Sequence, residues 1–338
     1  MKESVCKYPA IDAHLDLGLY LRRERQKGRR QVLLEDYLSD MRAGNVKAVV
    51  SAIFVDEQSE WGSALQQACD QVVALQTEVK EATDFFRICT NSAEIEAAYA
   101  CGKIALLLSF EGIEPLEGNP ELLDFFYNAG VRGMGLAHTR RNKACDGANY
   151  TDSAYNLGCG LTDFGIELIR RAQKLHMMID VSHLNDAGFD DVLAITKGPI
   201  VASHSNCRAI NPTRRNLTDE QICAIADRGG VIGINGCSAI ISDKPCGDML
   251  EAMLRHVDHL VKVGGTDCVG LGFDIAEMIL PDGHICVNGN DLLVRDAVPG
   301  YSALEGLADR LKGRGYSENA IEKIFHGNFS RVFHDVLV

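Results

Sequence analysis

Long apolar runs are missing from this sequence. No stretch approaches the length of a membrane span, and the N-terminal Met1-Lys2-Glu3-Ser4-Val5-Cys6 has no apolar core of the kind a signal peptide needs. A cytoplasmic location is therefore expected, with no membrane partner. Extended basic stretches are missing too, in a chain of net charge -13. The densest, Arg22-Arg23-Glu24-Arg25-Gln26-Lys27-Gly28-Arg29-Arg30, reads as a solvated loop or helix face and not as a nucleic-acid groove. The 12 cysteines run from Cys6 to Cys286 without one Cys-x-x-Cys pair. That excludes a clustered thiolate zinc site and leaves reduced, mostly buried thiols as the expectation. No Gly-x-Gly-x-x-Gly follows the first strand and no Walker-type loop occurs, which removes support for a nucleotide-binding open sheet.

What is present is a 338-residue chain, 46% hydrophobic and 24% charged, enough for one large core. It shows no repeat or linker, and a single domain over 1–338 is expected. Short β-branched runs alternate with stretches of helical period. The strands expected are Ile11–Leu17, Val46–Val55, Ile104–Phe110, Val131–His138, Met177–His183, Ile200–His204, Val231–Ile234 and Cys268–Asp274. Helices are expected over Ser63–Glu81, Glu94–Tyr99, Glu121–Asn128, Thr162–Leu175, Asp186–Ile195, Thr218–Arg228 and Asp248–Val263, and over Ala303–Lys312, Glu318–Ile324 and Asn328–Val336 in a tail packed on the barrel. Thr218 and Gln221 have capping-box spacing, and Gly229-Gly230 ends that helix. Eight near-continuous apolar strands with a helix in nearly every gap point to an α/β fold, a (β/α)8 TIM barrel of the metal-dependent hydrolase type. Gly283 to Tyr301 reads as a long irregular excursion, a wall or lid.

The polar residues that stand out fall at the C-terminal ends of these strands, where barrel enzymes keep their sites. His14 and Asp16 share a strand face by their spacing. Glu111, His138, His183, His204 and Asp274 close strands three, four, five, six and eight. Four of the ten histidines thus occupy equivalent positions beside three carboxylates, and imidazole with carboxylate suits a divalent metal. Asp12, deeper in strand one, shares the face of His14 and Asp16 by spacing and is assigned a structural role. His256 and His259 read as a solvated helix face, His176 as a helix-end residue, and His284 lies in the long loop.

The motifs Asp-Ala-His-Leu-Asp, Ser-Phe-Glu-Gly, Leu-Ala-His-Thr, Asp-Val-Ser-His, Ala-Ser-His-Ser, Arg-Arg-Asn-Leu-Thr-Asp and Gly-Leu-Gly-Phe-Asp follow one another in an order and spacing that is similar to the membrane dipeptidase (renal dipeptidase) family, zinc peptidases among the amidohydrolase-like barrels. The resemblance runs from Asp12 to Phe333. It implies two Zn(2+) per chain: His14, Asp16 and Glu111 on one, Glu111, His183 and His204 on the other, with Glu111 bridging. It also implies a metal-bridging hydroxide that attacks the amide of a dipeptide, L,D-dipeptides included. Asp274 would move the proton, His138 would bind the substrate carbonyl or its oxyanion, and Arg215 would bind the C-terminal carboxylate. A homodimer is implied as well. Where the family often has Asp-Phe-Asp-Gly, this chain has Asp274-Ile275-Ala276-Glu277. The loop Arg140-Arg141-Asn142-Lys143 is unusually basic, and it is either solvated or selects a second acidic group on the substrate. Two other readings fit the same residues: a metal-dependent amidohydrolase acting on a cyclic amide, lactam or ester, and an inactive metal-binding scaffold.

Overall fold

The computed structural model describes residues 5–55, 63–150, 158–242, 247–277, 279–280, 283–287 and 290–338. Eight parallel strands close on themselves: β1 (Ala10–Leu15), β2 (Val46–Phe54), β4 (Ile104–Glu111), β5 (Val131–Gly135), β6 (Met178–Asp180), β7 (Val201–Ala202), β8 (Val231–Ile234) and β9 (Val269–Leu271). Pairing of β1 with both β2 and β9, and of β2 with β4, completes the ring. This is the expected (β/α)8 barrel. One strand of the barrel sheet was not expected: β3 (Phe86–Ile88) borders the first half of β4, while β5 borders the second half. It is three residues long and only Phe86 in it is buried, so it leaves almost no periodic signal.

Alternation along the strands divides the apolar residues into two layers. Ile11, Ala48, Val50, Ala105, Leu107, Val201 and Val231 pack with one another and with Phe329 and Phe333 of the C-terminal helix Asn328–Val336. Val49, Leu106 and Leu108 face the other way, among the outer helices. The first layer fills the barrel, so the polar strand ends at the other mouth rest on a packed floor.

The strands stop earlier than the apolar runs do. Strand one ends at Leu15, and Asp16 is the residue before the helix Leu17–Gln26, with φ -73° and ψ 43°. The strands leading to His138, His183, His204 and Asp274 likewise end before those residues. Buried side chains take over the ladder at these ends. Asp12 Oδ1 accepts the N–H of His14 at 3.2 Å and of Phe273 at 3.0 Å. Asp180 Oδ1 accepts the N–H of Ser182 at 2.9 Å and of Ser203 at 3.0 Å. A side-chain acceptor satisfies two buried donors without continuing the sheet, which frees the following residues to turn.

The arginine-rich segment is a solvated face only in part: Gln26, Lys27, Gly28 and Arg30 are exposed, the rest is not. Arg22 and Glu24 are buried on the helix Leu17–Gln26. Arg25 pairs with the fully buried Glu78 and with Glu81, and Arg29 pairs with Glu24, Glu35 and Asp36. These pairs fasten the segment to the helix Ala64–Glu81 and to the π turn Leu33–Tyr37. The excursion after β9 is partly regular: His284–Val287 and Asn290–Leu293 form an antiparallel hairpin. Residues 1–4 and the side chain of His284 lie outside the described residues. Among the described residues, no helix is long and apolar enough to cross a membrane.

His256 does not lie on a solvated helix face. It is fully buried, its Nδ1 accepts the N–H of Cys207 at 3.1 Å, and its Nε2 faces the carbonyl of Ile241 at 2.9 Å. Its neighbour His259 pairs with Asp219 instead, so the two histidines do not act together. Burial holds His256 down at about 4, below the usual 6.5. The unfolded chain therefore binds the extra proton between those values, and stability contributed by neutral His256 is lost as pH falls from 6.5 to 4. Replacing His256 with Gln is expected to remove about 3 kcal/mol of that pH dependence. Urea unfolding at pH 7 and pH 4.5, compared between the two proteins, measures it.

Candidate metal centre

The mouth of the barrel gathers the residues that sequence singled out. Glu111 stands at the centre. Its Oε1 lies 3.1 Å from His183 Nε2 and 3.4 Å from His204 Nε2, and its Oε2 lies 3.5 Å from His14 Nε2. His183 Nε2 and His204 Nε2 are 2.9 Å apart. His14 Nε2 is 3.9 Å from Asp274 Oδ1, and His138 Nε2 is 3.9 Å from Glu111 Oε1. Ligand atoms fall into three overlapping groups, each within 4.8 Å: His14, Glu111 and His204; Glu111, His138 and His183; His14, Asp16 and Asp274. Asp12 does not join them. Its Oδ2 accepts from Tyr301 Oη at 2.7 Å, a structural bond.

Local backbone irregularity aims these side chains. From Asp12 to Leu15, β1 advances three residues while β2 advances two, from Val49 to Ser51. An extra residue of this kind shifts side-chain alternation and turns His14 to the mouth; Asp12 and His14 do not share a face. His183 and Asp274 adopt φ 65° and 56°, the left-handed region. For a non-glycine residue this costs about 1–3 kcal/mol and is characteristic of functional sites. Gly233 and Gly272 let β8 and β9 close on the carbonyl of Ser203, where an added Cβ would come within 1.9 and 1.8 Å.

The electrostatics favour cations. Burial and then the charge of Glu111 raise the carboxyl of Asp16. Burial raises Asp274 to about 6, with His14 opposing and Glu111 adding to the rise. Burial opposes charge on His14, yet Glu111, Asp274 and Asp16 outweigh it and push it up to about 10. Burial holds His183 and His204 neutral. Among the described residues, the buried His14 Nε2 and Asp16 Oδ1 find no hydrogen-bond partner. Crowded carboxylates, neutral imidazoles and unpartnered ligand atoms together are what a divalent metal site requires. In tetrahedral coordination with bonds of 2.0–2.1 Å, neighbouring ligand atoms lie about 3.3 Å apart. The triangle of His183, His204 and Glu111 is close to that.

Three further groups border the cluster. Asp274 Oδ2 accepts from Asn235 Nδ2 at 3.0 Å, so Oδ1 is the oxygen turned to His14 and the rest of the cluster. His138 is held down at about 4 by burial and by Arg215, and its Nδ1 lies 3.1 Å from Thr139 Oγ1. Arg215, 3% exposed, donates from Nη1 to Ser205 Oγ at 2.9 Å and from Nη2 to the carbonyl of His204 at 2.6 Å, while its Nε has no partner among the described residues. The basic loop is spent within the chain: Arg140 pairs with Glu114, Arg141 pairs with Asp146, and Lys143 donates to the carbonyl of Glu117. At the Asp-Ile-Ala-Glu departure, the Asp296 carboxylate accepts the N–H groups of Ala276 and Glu277 and fastens the turn after Asp274. Sequence reasoning missed Asn235, which sits in Ile234-Asn235-Gly236-Cys237 with nothing to mark it. It also missed roles for Asp180 and Ser203, although both lie inside motifs that carried histidines.

Comparison with known proteins places this geometry. The family model described as membrane dipeptidase (peptidase family M19) matches residues 2–337. An uncharacterized protein of the pqqA 5' region in Klebsiella pneumoniae is 32% identical over 283 residues, 81% of this chain and 98% of that one. The dipeptidase ataJ of Aspergillus terreus is 28% identical across 99% of this chain and 86% of its own. A metallopeptidase from Rhodobacter sphaeroides, solved with a phosphinate mimic of the dipeptide L-Ala-D-Ala, superposes with a TM-score of 0.84 at 26% identity, covering 97% of this chain and 99% of that one. The chain belongs to the membrane dipeptidase family, peptidase family M19, and is a metal-dependent hydrolase of that family.

Proposed function

We propose that the protein is a binuclear zinc dipeptidase that accepts L,D-dipeptides among its substrates. One observation carries the reading: the two oxygens of Glu111 face different histidines, Oε2 toward His14 and Oε1 toward His183 and His204. A carboxylate so divided suits a bridge. His14, Asp16 and Glu111 would hold one ion, and Glu111, His183 and His204 the other. When bound, the ions supply a Lewis acid for the scissile carbonyl and a water acidic enough to attack it at neutral pH. The L-Ala-D-Ala mimic in the Rhodobacter relative supports the stereochemical part.

The chain's own groups then have distinct tasks. Asp274 is anchored through Oδ2 and presents Oδ1 to the cluster. From that position it takes a proton from the attacking water and delivers it to the leaving amine. His138 stays neutral. Its Nδ1 lies within hydrogen-bond distance of Thr139 Oγ1; with that hydroxyl as donor, Nε2–H is left to donate to the carbonyl oxygen as negative charge develops there. Arg215 is pinned by two bonds and keeps Nε for the substrate's C-terminal carboxylate.

The test is a panel of L,L- and L,D-dipeptides, free and C-terminally amidated, run on zinc-loaded protein. Free dipeptides are expected to be cleaved and amidated ones poorly. Arg215→Ala is expected to lower kcat/KM for free dipeptides about 10–100-fold and to abolish the preference over amides. Equal kcat/KM for free and amidated substrates in the wild type would remove the dipeptidase assignment.

A further inference from the structure

A chain of hydrogen bonds runs away from the cluster through His204. Its Nδ1 lies 2.7 Å from Ser203 Oγ. Ser203 Oγ in turn donates to Asp180 Oδ2. A serine hydroxyl has one hydrogen, and here the carboxylate takes it. Ser203 Oγ can then only accept from His204, so the ring proton sits on Nδ1 and the lone pair on Nε2. Nε2 is the atom that faces Glu111 and His183. Asp180 itself is fixed: it is 5% exposed, and its other oxygen holds the N–H groups of Ser182 and Ser203.

We propose that Asp180 and Ser203 are positioning residues that set the tautomer and ring plane of His204 for metal binding. The proposal rests on the metal-site reading above. A ligating histidine whose far nitrogen donates to a carboxylate is a recurrent device. Here a serine lies between, because Asp180 closes β6 and is already tied to two backbone donors. Among the described residues His183 Nδ1 has no hydrogen-bond partner, so it lacks such an anchor there. Of the two, His204 is the one whose far nitrogen is held by a side chain. The relay also differs from a purely structural role for Asp180. Tying the backbone uses Oδ1, whereas the bond toward His204 uses Oδ2 through a hydroxyl that can be deleted alone.

The experiment loads metal-stripped protein with cobalt(II) and measures two things: affinity, by competition with a chromophoric chelator, and the visible absorption of the bound ion. Ser203→Ala leaves the Oδ1 bonds untouched, since those run to backbone N–H groups. It is expected to weaken one bound ion about 10–100-fold and to alter its absorption. Asp180→Asn should move both readouts the same way. Ser203→Ala with wild-type cobalt affinity and spectrum would overturn the relay, even if its thermal stability fell. Wild-type protein that binds no cobalt would overturn the relay together with the metal reading, which separates the two failures.

Discussion

Asp274→Asn is expected to leave the metal in place and to lower kcat about 100- to 10,000-fold, the range that general acid–base groups supply. The substitution keeps the shape of the side chain and the contact with Asn235. It removes the group that can take and return a proton. The same change has a second expected outcome in the metal-free protein. Burial, with Glu111 adding to it, raises the Asp274 carboxyl to about 6 from its ordinary 3.8. In that interval the folded chain binds the extra proton, so stability declines as pH rises from 3.8 to 6 and stays reduced above. Metal-free Asp274→Asn should accordingly be more stable than metal-free wild type at pH 8, by at most about 3 kcal/mol. Elemental analysis with steady-state kinetics checks the first outcome, and thermal unfolding of the stripped proteins checks the second. Loss of metal along with activity would make Asp274 a ligand and not a proton carrier.

Glu111→Gln is expected to be the most damaging single change at the centre. Glu111 is the residue whose two oxygens meet three imidazoles. An amide brings no charge and only one oxygen, so it cannot bridge two cations. Both ions should bind more than about 100-fold more weakly, beyond the range seen when only a ligand's supporting residue is lost. Dipeptide hydrolysis at limiting zinc should fall with them. Chelator competition against wild type provides the readout, and a Gln variant that keeps both ions tightly bound would show that Glu111 is not shared.

The barrel was legible because parallel strands buried on both faces read as continuous apolar runs, and because helical periods separate them. The cluster was legible because His14, Asp16, Glu111, His183 and His204 stand as polar residues at the ends of those runs. The means by which they meet was not. Spacing put His14 and Asp16 on one strand face, yet Asp16 follows the strand, and the extra residue in β1 is what turns His14 inward. The left-handed backbone at His183 and Asp274 has no sequence signature, since neither is a glycine. Apolar runs also overstate strand length here: Asp12 and Asp180 capture backbone N–H groups that a longer ladder would have used. His256 and the buried part of the Arg22–Arg30 segment were misread for a related reason. Charged and polar residues on a helix suggest solvent unless their partners are known, and those partners, Cys207 and Ile241 for the one and Glu78 for the other, lie far along the chain.

Dipeptide hydrolysis is proposed to require two metal ions shared through Glu111. Zinc titrated into chelator-stripped protein, with hydrolysis of L-Ala-D-Ala followed at each addition, measures this directly. Activity is predicted to be absent in the stripped protein and to reach its maximum at two ions per chain. Full activity at one ion per chain, or hydrolysis that persists in the stripped protein, would contradict it.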